Sequence, residues 1–275
     1  MTIQKYSGAG NKFIMLNNLN SEFKDYEKIV LEYSADKNNS EIDGVIFIES
    51  SESADFKMNY YNKDGTGDAL CGNGLRCTMK YIIDNKLSEK ENLSIEAVTQ
   101  IYDCKIIDKE NISVKFPPPV KVKTNFKMKV HFTEWWELLN CSYVDCGSPH
   151  IVVFIDDIEK PKVNSLEEIN INEWGRNLRM HKDLMPEGAN VNFVKILSKD
   201  EGEIEIRSYE RGVEGETLAC GTGAISSALI FYILKNHINP VKVLTRSGEY
   251  LKVELIIEDK KLMNVILSGK ALRYE

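Results

Sequence analysis

Nothing in this chain of 275 residues reads as a membrane span, a secretion leader or a nucleic-acid-binding face. No apolar run reaches the roughly eighteen residues that a span requires. The opening stretch, MTIQKYSGAGNKFIML, lacks a basic region, an apolar stretch and a small-residue cleavage site, so a cytoplasmic protein is expected. Acidic residues outnumber basic ones by 42 to 35, a net charge of −7, and no long basic block interrupts them. Phosphate backbones attract positive stripes, so nucleic acid is not an expected partner, nor is a membrane. There is no Walker lysine pattern and no G-x-G-x-x-G at the glycine-rich turns. Histidine is scarce, with four in the chain, and Cys71 and Cys77 stand further apart than a structural zinc pair, so no metal is expected. The six cysteines (Cys71, Cys77, Cys104, Cys141, Cys146, Cys220) fit no small-secreted disulfide framework and read as thiols in a reducing compartment.

What remains is an ordinary globular composition, 43% hydrophobic and 28% charged, long enough for one large domain or two modest ones. Strand patterns dominate. Residues 56–62, 112–116, 150–155, 203–209, 249–258 and 264–269 are β-branched or aromatic, several alternating with period two. Residues 25–36 read as a surface helix. After Cys71, Leu75, Met79, Ile82 and Ile83 fall at helical spacing. After Cys220 the segment AISSALIFYILK is apolar almost all round, so it must be enclosed by protein, with Lys235, His237 and Pro240 marking its end. Three prolines in FPPPVKVKT, residues 116–124, mark a seam, and each half offers strands followed by a cysteine-headed helix.

The cysteines at those two helix starts are the distinctive feature. CGNGLRC begins at Cys71 and CGTGAIS at Cys220, each with glycine next to the cysteine and again two positions further on. Glycine lets backbone amides approach a ligand closely, and the first N–H groups of a helix have no partners within it. Each start is a cradle for an anion such as a carboxylate. The same field favours thiolate over thiol, and a drop of about two pKa units corresponds to roughly 2.7 kcal/mol. Two thiolates facing one pocket repel, so the pair holds one proton between them. A carbon acid between a thiolate and a thiol loses a proton on one face and gains one on the other, inverting its centre without a cofactor. The alternative is that these are small buried residues with no chemistry.

Six stretches in order resemble the diaminopimelate epimerase family: GAGNKF (8–13), IDG (42–44), NYYNKDGTGDALCGNGLRC (59–77), GSPH (147–150), PEGANVNFV (186–194) and SYERGVEGETLACGTGA (208–224). The resemblance implies an α+β fold of two pseudo-symmetric domains, each a mostly antiparallel sheet or barrel wrapped around a central helix. The expected domains are residues 1–120 with a C-terminal strand at 263–275, and residues 121–262. It also implies an isomerase of lysine and peptidoglycan precursor synthesis that converts L,L- to meso-2,6-diaminopimelate with no cofactor, the substrate lying between the domains. By matching position, Cys71 and Cys220 are the proton-transfer residues. Gly72, Asn73, Gly221 and Thr222 hold the reacting carboxylate. Arg211 suits the distal carboxylate and Glu210 an ammonium, while Asn11, Asn62 and Asn190 bind polar groups of the substrate. His150 and Glu210 tune the thiols. From the residues alone, the Glu210–Arg211 pair also reads as a surface salt bridge, the asparagines as turn residues and His150 as a strand opener. Lys12, Gly44, Ser148 and one additional residue between Arg211 and Cys220 depart from the family pattern. The expected partner is a small-molecule substrate, with a homodimer left open. A proline, hydroxyproline or histidine racemase of the same two-thiol type, and a binding protein that merely holds an anion, are the competing readings.

Overall fold

The computed structural model describes residues 3–67, 70–132 and 136–275, so Asp68 and Ala69 of the 59–77 stretch lie outside the described residues. The chain divides into two compact units, Met1–Phe116 with Ser268–Glu275, and Pro117–Leu267. The division falls at the first of the three prolines, which lack the N–H that a continued ladder needs.

In the first unit β1 (Gln4–Gly8) and β2 (Asn11–Asn17) form an antiparallel hairpin, turned through Ala9 and Gly10 at positive φ. Helix α1 (Tyr26–Ala35) crosses to β3 (Gly44–Glu49), which lies parallel to β2. β4 (Phe56–Asn62) returns antiparallel, and helix α2 (Gly72–Asp84) crosses to β5 (Asn92–Ala97), parallel to β4. β6 (Gln100–Ile106) and β7 (Asn111–Phe116) complete a meander. Helix α1 lies on the outside, where Val30 packs with Ile14, Leu16, Val45 and Phe47. Helix α2 is enclosed by the sheet. Leu75, Met79 and Ile82 are fully buried, as their spacing predicts, and Ile83 is half-buried.

In the second unit β8 (Lys121–His131) pairs with β9 (Trp136–Asp145), and β9 with β10 (Pro149–Phe154), all antiparallel. Helix α3 (Ile171–Arg179) crosses to β11 (Asn190–Ser198), parallel to β10. β12 (Glu203–Glu210) returns antiparallel and turns into the short β13 (Gly215–Thr217). Helix α4 (Gly221–Leu234) then crosses to β14 (Val241–Leu244), parallel to β12, and β15 (Tyr250–Glu258) follows antiparallel. β16 (Lys261–Lys270) carries the chain back to the first unit, where β17 (Leu272–Arg273) pairs with β1.

Both units thus run through one order: an antiparallel pair, a parallel crossover by an outer helix, an antiparallel return, and a second parallel crossover by an enclosed helix. The fold is α+β, a mostly antiparallel sheet around a central helix in each unit. Helix α4 is apolar on every side and its residues from Gly221 to Phe231 are buried except half-buried Thr222, as an enclosed helix requires. Lys235 follows its last turn and binds Asp157 through Nζ at 2.6 and 2.7 Å. If α4 is the core of its unit, Phe231→Ala lowers unfolding free energy by about 3–5 kcal/mol. Ile233→Ala, on the partly exposed side of the same turn, costs less than about 1 kcal/mol. Urea denaturation of both variants checks this, and equal losses contradict it.

Candidate functional site

Cys71 is the N-cap residue of α2, in extended conformation (φ −125°, ψ 105°), and its Sγ accepts the Gly74 N–H at 3.3 Å. Gly74 has no room for more: a Cβ there would stand 3.0 Å from Ile46 Cδ1 and 3.3 Å from Cys71 Cβ. Asn73, buried in the first turn, donates Nδ2 to Asn11 Oδ1 and receives Arg76 Nη2 on Oδ1 at 2.6 Å. Arg76 is fully buried and also reaches the Gly72 carbonyl, 3.4 Å from Nη1. Its guanidinium therefore sets which way the Asn73 amide faces. Arg76 was not among the residues expected at the site, although a charge one place after Leu75 in an enclosed helix is a visible signal.

Asn62 ends β4, and register places it opposite Gly44, which is opposite Phe13, so it stands at the sheet end where β2 begins with Asn11. Its side chain is engaged by Tyr60 Oη at 2.8 Å and Thr66 Oγ1 at 3.0 Å. Gly44 is crowded by the backbone and ring of β4, a Cβ there meeting Tyr60 Cε2 at 2.6 Å, which accounts for the missing side chain. Lys12 turns to Glu41 and lies 5.5 Å from the Tyr274 ring.

Cys220 caps α4 in the same conformation (φ −115°, ψ 114°) but is buried, with Thr222 Oγ1 3.5 Å from its Sγ. Thr222 Oγ1 lies 2.9 Å from Nε2 of His150, which is fully buried on β10. Register sets His150 opposite Asn190. Asn190 donates Nδ2 to Ser148 Oγ at 2.7 Å and to the Pro149 carbonyl at 3.2 Å, and its Oδ1 accepts the Arg211 N–H at 2.8 Å. Ser148, a departure from the family pattern, thus steadies Asn190. Glu210 accepts the Thr217 hydroxyl. Arg211 is exposed, with Nη1 3.5 Å from the Glu187 carbonyl, and among the described residues it forms no ion pair. The additional residue lies in the β12–β13 turn, where Gly212 and Glu214 take positive φ and Glu214 N–H closes onto the Glu210 carbonyl.

The expectation that a helix start lowers a cysteine pKa fails at Cys220. Burial pushes its thiol well above the ordinary value and the Glu210 charge adds to this; the Thr222 hydroxyl and Gly223 amide act the other way and lose. Cys220 therefore carries a proton in the resting protein. Burial likewise pushes Cys146 up to about 11 and Cys141 to about 12, and raises Cys104. Burial, with Arg211 nearby, lowers His150 to about 3, leaving it neutral.

Both halves of the chain match one family model. Residues 3–122 and 142–272 fit the model described as diaminopimelate epimerase. The chain belongs to the diaminopimelate epimerase family. A diaminopimelate epimerase of Chlorobaculum tepidum is 36% identical over 250 residues, covering 90% of each chain. One from Aquifex aeolicus is 32% identical, covering 99% of this chain and 95% of its own. Among solved structures, a Bacillus anthracis phenazine biosynthesis protein of the PhzF family superposes with a TM-score of 0.72 at 16% identity, over 99% of this chain and 96% of that one. That likeness concerns the fold alone.

The buried His150 has a stability consequence. Its folded value, about 3, lies below the ordinary 6.5, so between these the unfolded chain binds a proton that the fold refuses. Its contribution is full above pH 6.5 and is lost as pH falls toward 3, at up to roughly 1.4 kcal/mol per pH unit. Urea midpoints measured across this range fall less steeply in His150→Gln than in the wild type; identical slopes contradict the assignment.

Proposed function

We propose that this member of the diaminopimelate epimerase family interconverts L,L- and meso-2,6-diaminopimelate in the cytoplasm, by thiol chemistry and without a cofactor, for lysine and peptidoglycan synthesis. The observation that carries the reading is the family match over both halves, each half heading its enclosed helix with a glycine-flanked cysteine. One cysteine, as thiolate, takes the α-proton. The electron pair left on carbon spreads into the adjoining carboxylate, and the other cysteine, as thiol, returns a proton to the opposite face. Cys220 enters as the acid in one direction, since burial keeps its proton on, and Cys71 is then the base. In the reverse direction the roles exchange.

The carboxylate is the electron sink, so its stabilisation decides the rate. First-turn N–H groups at Gly72 and Asn73, or at Gly221 and Thr222, head their helices, where an anion is favoured, and suit it. Arg211, exposed and outside any described ion pair, binds the distal carboxylate as a fork, and Glu210 meets an ammonium. Asn11, Asn62 and Asn190 contact the remaining polar groups. A far-end cation and anion favour diaminopimelate over proline-type substrates, which lack a charged far end.

Solvent-deuterium exchange tests this. Reduced protein incorporates deuterium at the α-carbon of diaminopimelate and interconverts the isomers, and Cys71→Ala or Cys220→Ala loses about 10²–10⁴-fold or more. Exchange with proline, hydroxyproline or histidine, but not with diaminopimelate, moves the protein to the racemase reading.

A further inference from the structure

The surroundings of His150 fix its tautomer. Asn192 on β11 is fully buried, and its Nδ2 lies 2.9 Å from His150 Nδ1 and 3.4 Å from the Ile151 carbonyl. A carbonyl only accepts, so the NH₂ end of the amide must face Ile151, and with it His150. The other end agrees: Asn192 Oδ1 accepts the Ser208 hydroxyl at 2.8 Å, across the β11–β12 register that sets these two residues opposite each other. His150 Nδ1 is therefore an acceptor, and the hydrogen of the neutral ring sits on Nε2. Asn190 approaches Nε2 at 3.4 Å, but Nδ2 is an NH₂ donor already committed to Ser148 and Pro149, so it cannot take that hydrogen. Thr222 Oγ1, at 2.9 Å, can. Once its oxygen accepts from His150, the Thr222 O–H is released to point at Cys220 Sγ, 3.5 Å away.

We infer that Asn192 and Ser208 are positioning residues for Cys220: they hold His150 as the Nε2–H tautomer, which turns the Thr222 hydroxyl into a donor toward the sulfur. The direction matters only when Cys220 has given up its proton. A thiol can donate to Thr222, whereas a thiolate needs a donor, and the chain from Ser208 through Asn192, His150 and Thr222 delivers one. His150 acts here by orientation and stays neutral throughout. The charges bearing on the pair are the Arg211 cation, which opposes protonation of the ring, and the Glu210 carboxylate, which opposes ionisation of Cys220; Cys146, also near, is a thiol. Gly223 belongs to the same device, because a Cβ there would collide with Asn192 Oδ1 and push the amide out of place. The role for Cys220 rests on the epimerase reading, but the tautomer does not.

Nitrogen NMR of isotope-labelled histidine in the whole protein tests both parts, the His150 signals being assigned by their loss in His150→Gln. Near neutral pH the wild type shows a bare Nδ1 and a protonated Nε2. Asn192→Asp offers Nδ1 only acceptors and places hydrogen there. Ser208→Ala, the milder change, removes the hydroxyl that anchors the amide. In both variants the pH limb of kcat/KM, in whichever direction uses Cys220 as base, moves up by about one unit, a roughly tenfold loss below it. A wild-type Nδ1–H tautomer or imidazolium overturns the inference. So do unmoved pH limbs in folded variants. A wild type with no epimerase activity overturns the proposed function instead, and the tautomer alone then decides this inference.

Discussion

A helix enclosed by its own sheet can direct the N–H groups of its first turn only at whatever stands at its head. Helices α2 and α4 both meet this constraint with a cysteine in extended conformation followed by glycine, which brings sulfur and backbone amides to the same spot. The rest of each unit's polar interior is arranged around that spot. In the first unit Arg76 holds Asn73, and Asn73 holds Asn11. In the second, the neighbours of Thr222 form a line of neutral groups running back through His150 to the sheet.

Two effects compete at such a sulfur. The helix start favours a negative charge by about 0.3–1 kcal/mol, reaching about 2 in partly buried settings. Taking a charge out of water costs several kcal/mol unless it is paired. At Cys220 burial is nearly complete and the nearest named charge is the like-signed Glu210, so desolvation wins and the thiol keeps its proton. For an enzyme that must deliver a proton to carbon this is the useful outcome. Under the proposed function, the Gly221 and Thr222 amides are left for the substrate carboxylate.

The helix starts were legible because a cysteine followed by glycine at the next position and again two further on is a local signal, and α4 because fourteen residues with no polar face must be enclosed. The strands β4, β7, β10, β12, β15 and β16 were legible to within a residue or two at most ends, since alternation survives where one face is buried. β8 escaped notice because four lysines occupy its outward positions and Asn125 takes a positive φ within it, which interrupts the alternation. Asn192 and Ser208 escaped for a different reason. Their partners come from other elements, and nothing in the chain order says that Asn192 faces His150 rather than solvent. The upward shift of the Cys220 thiol was not legible for the same cause: a helix start is written locally, but the depth of burial is set by strands far along the chain.

The charge of Cys220 in the substrate-free protein is the deciding quantity. Carbon NMR of the labelled cysteine Cβ, assigned by loss of the signal in Cys220→Ser, reads it directly against pH. The thiol form persists through pH 9 if burial governs the site. A transition to thiolate below pH 7 contradicts it, and would return the helix-start field to first place.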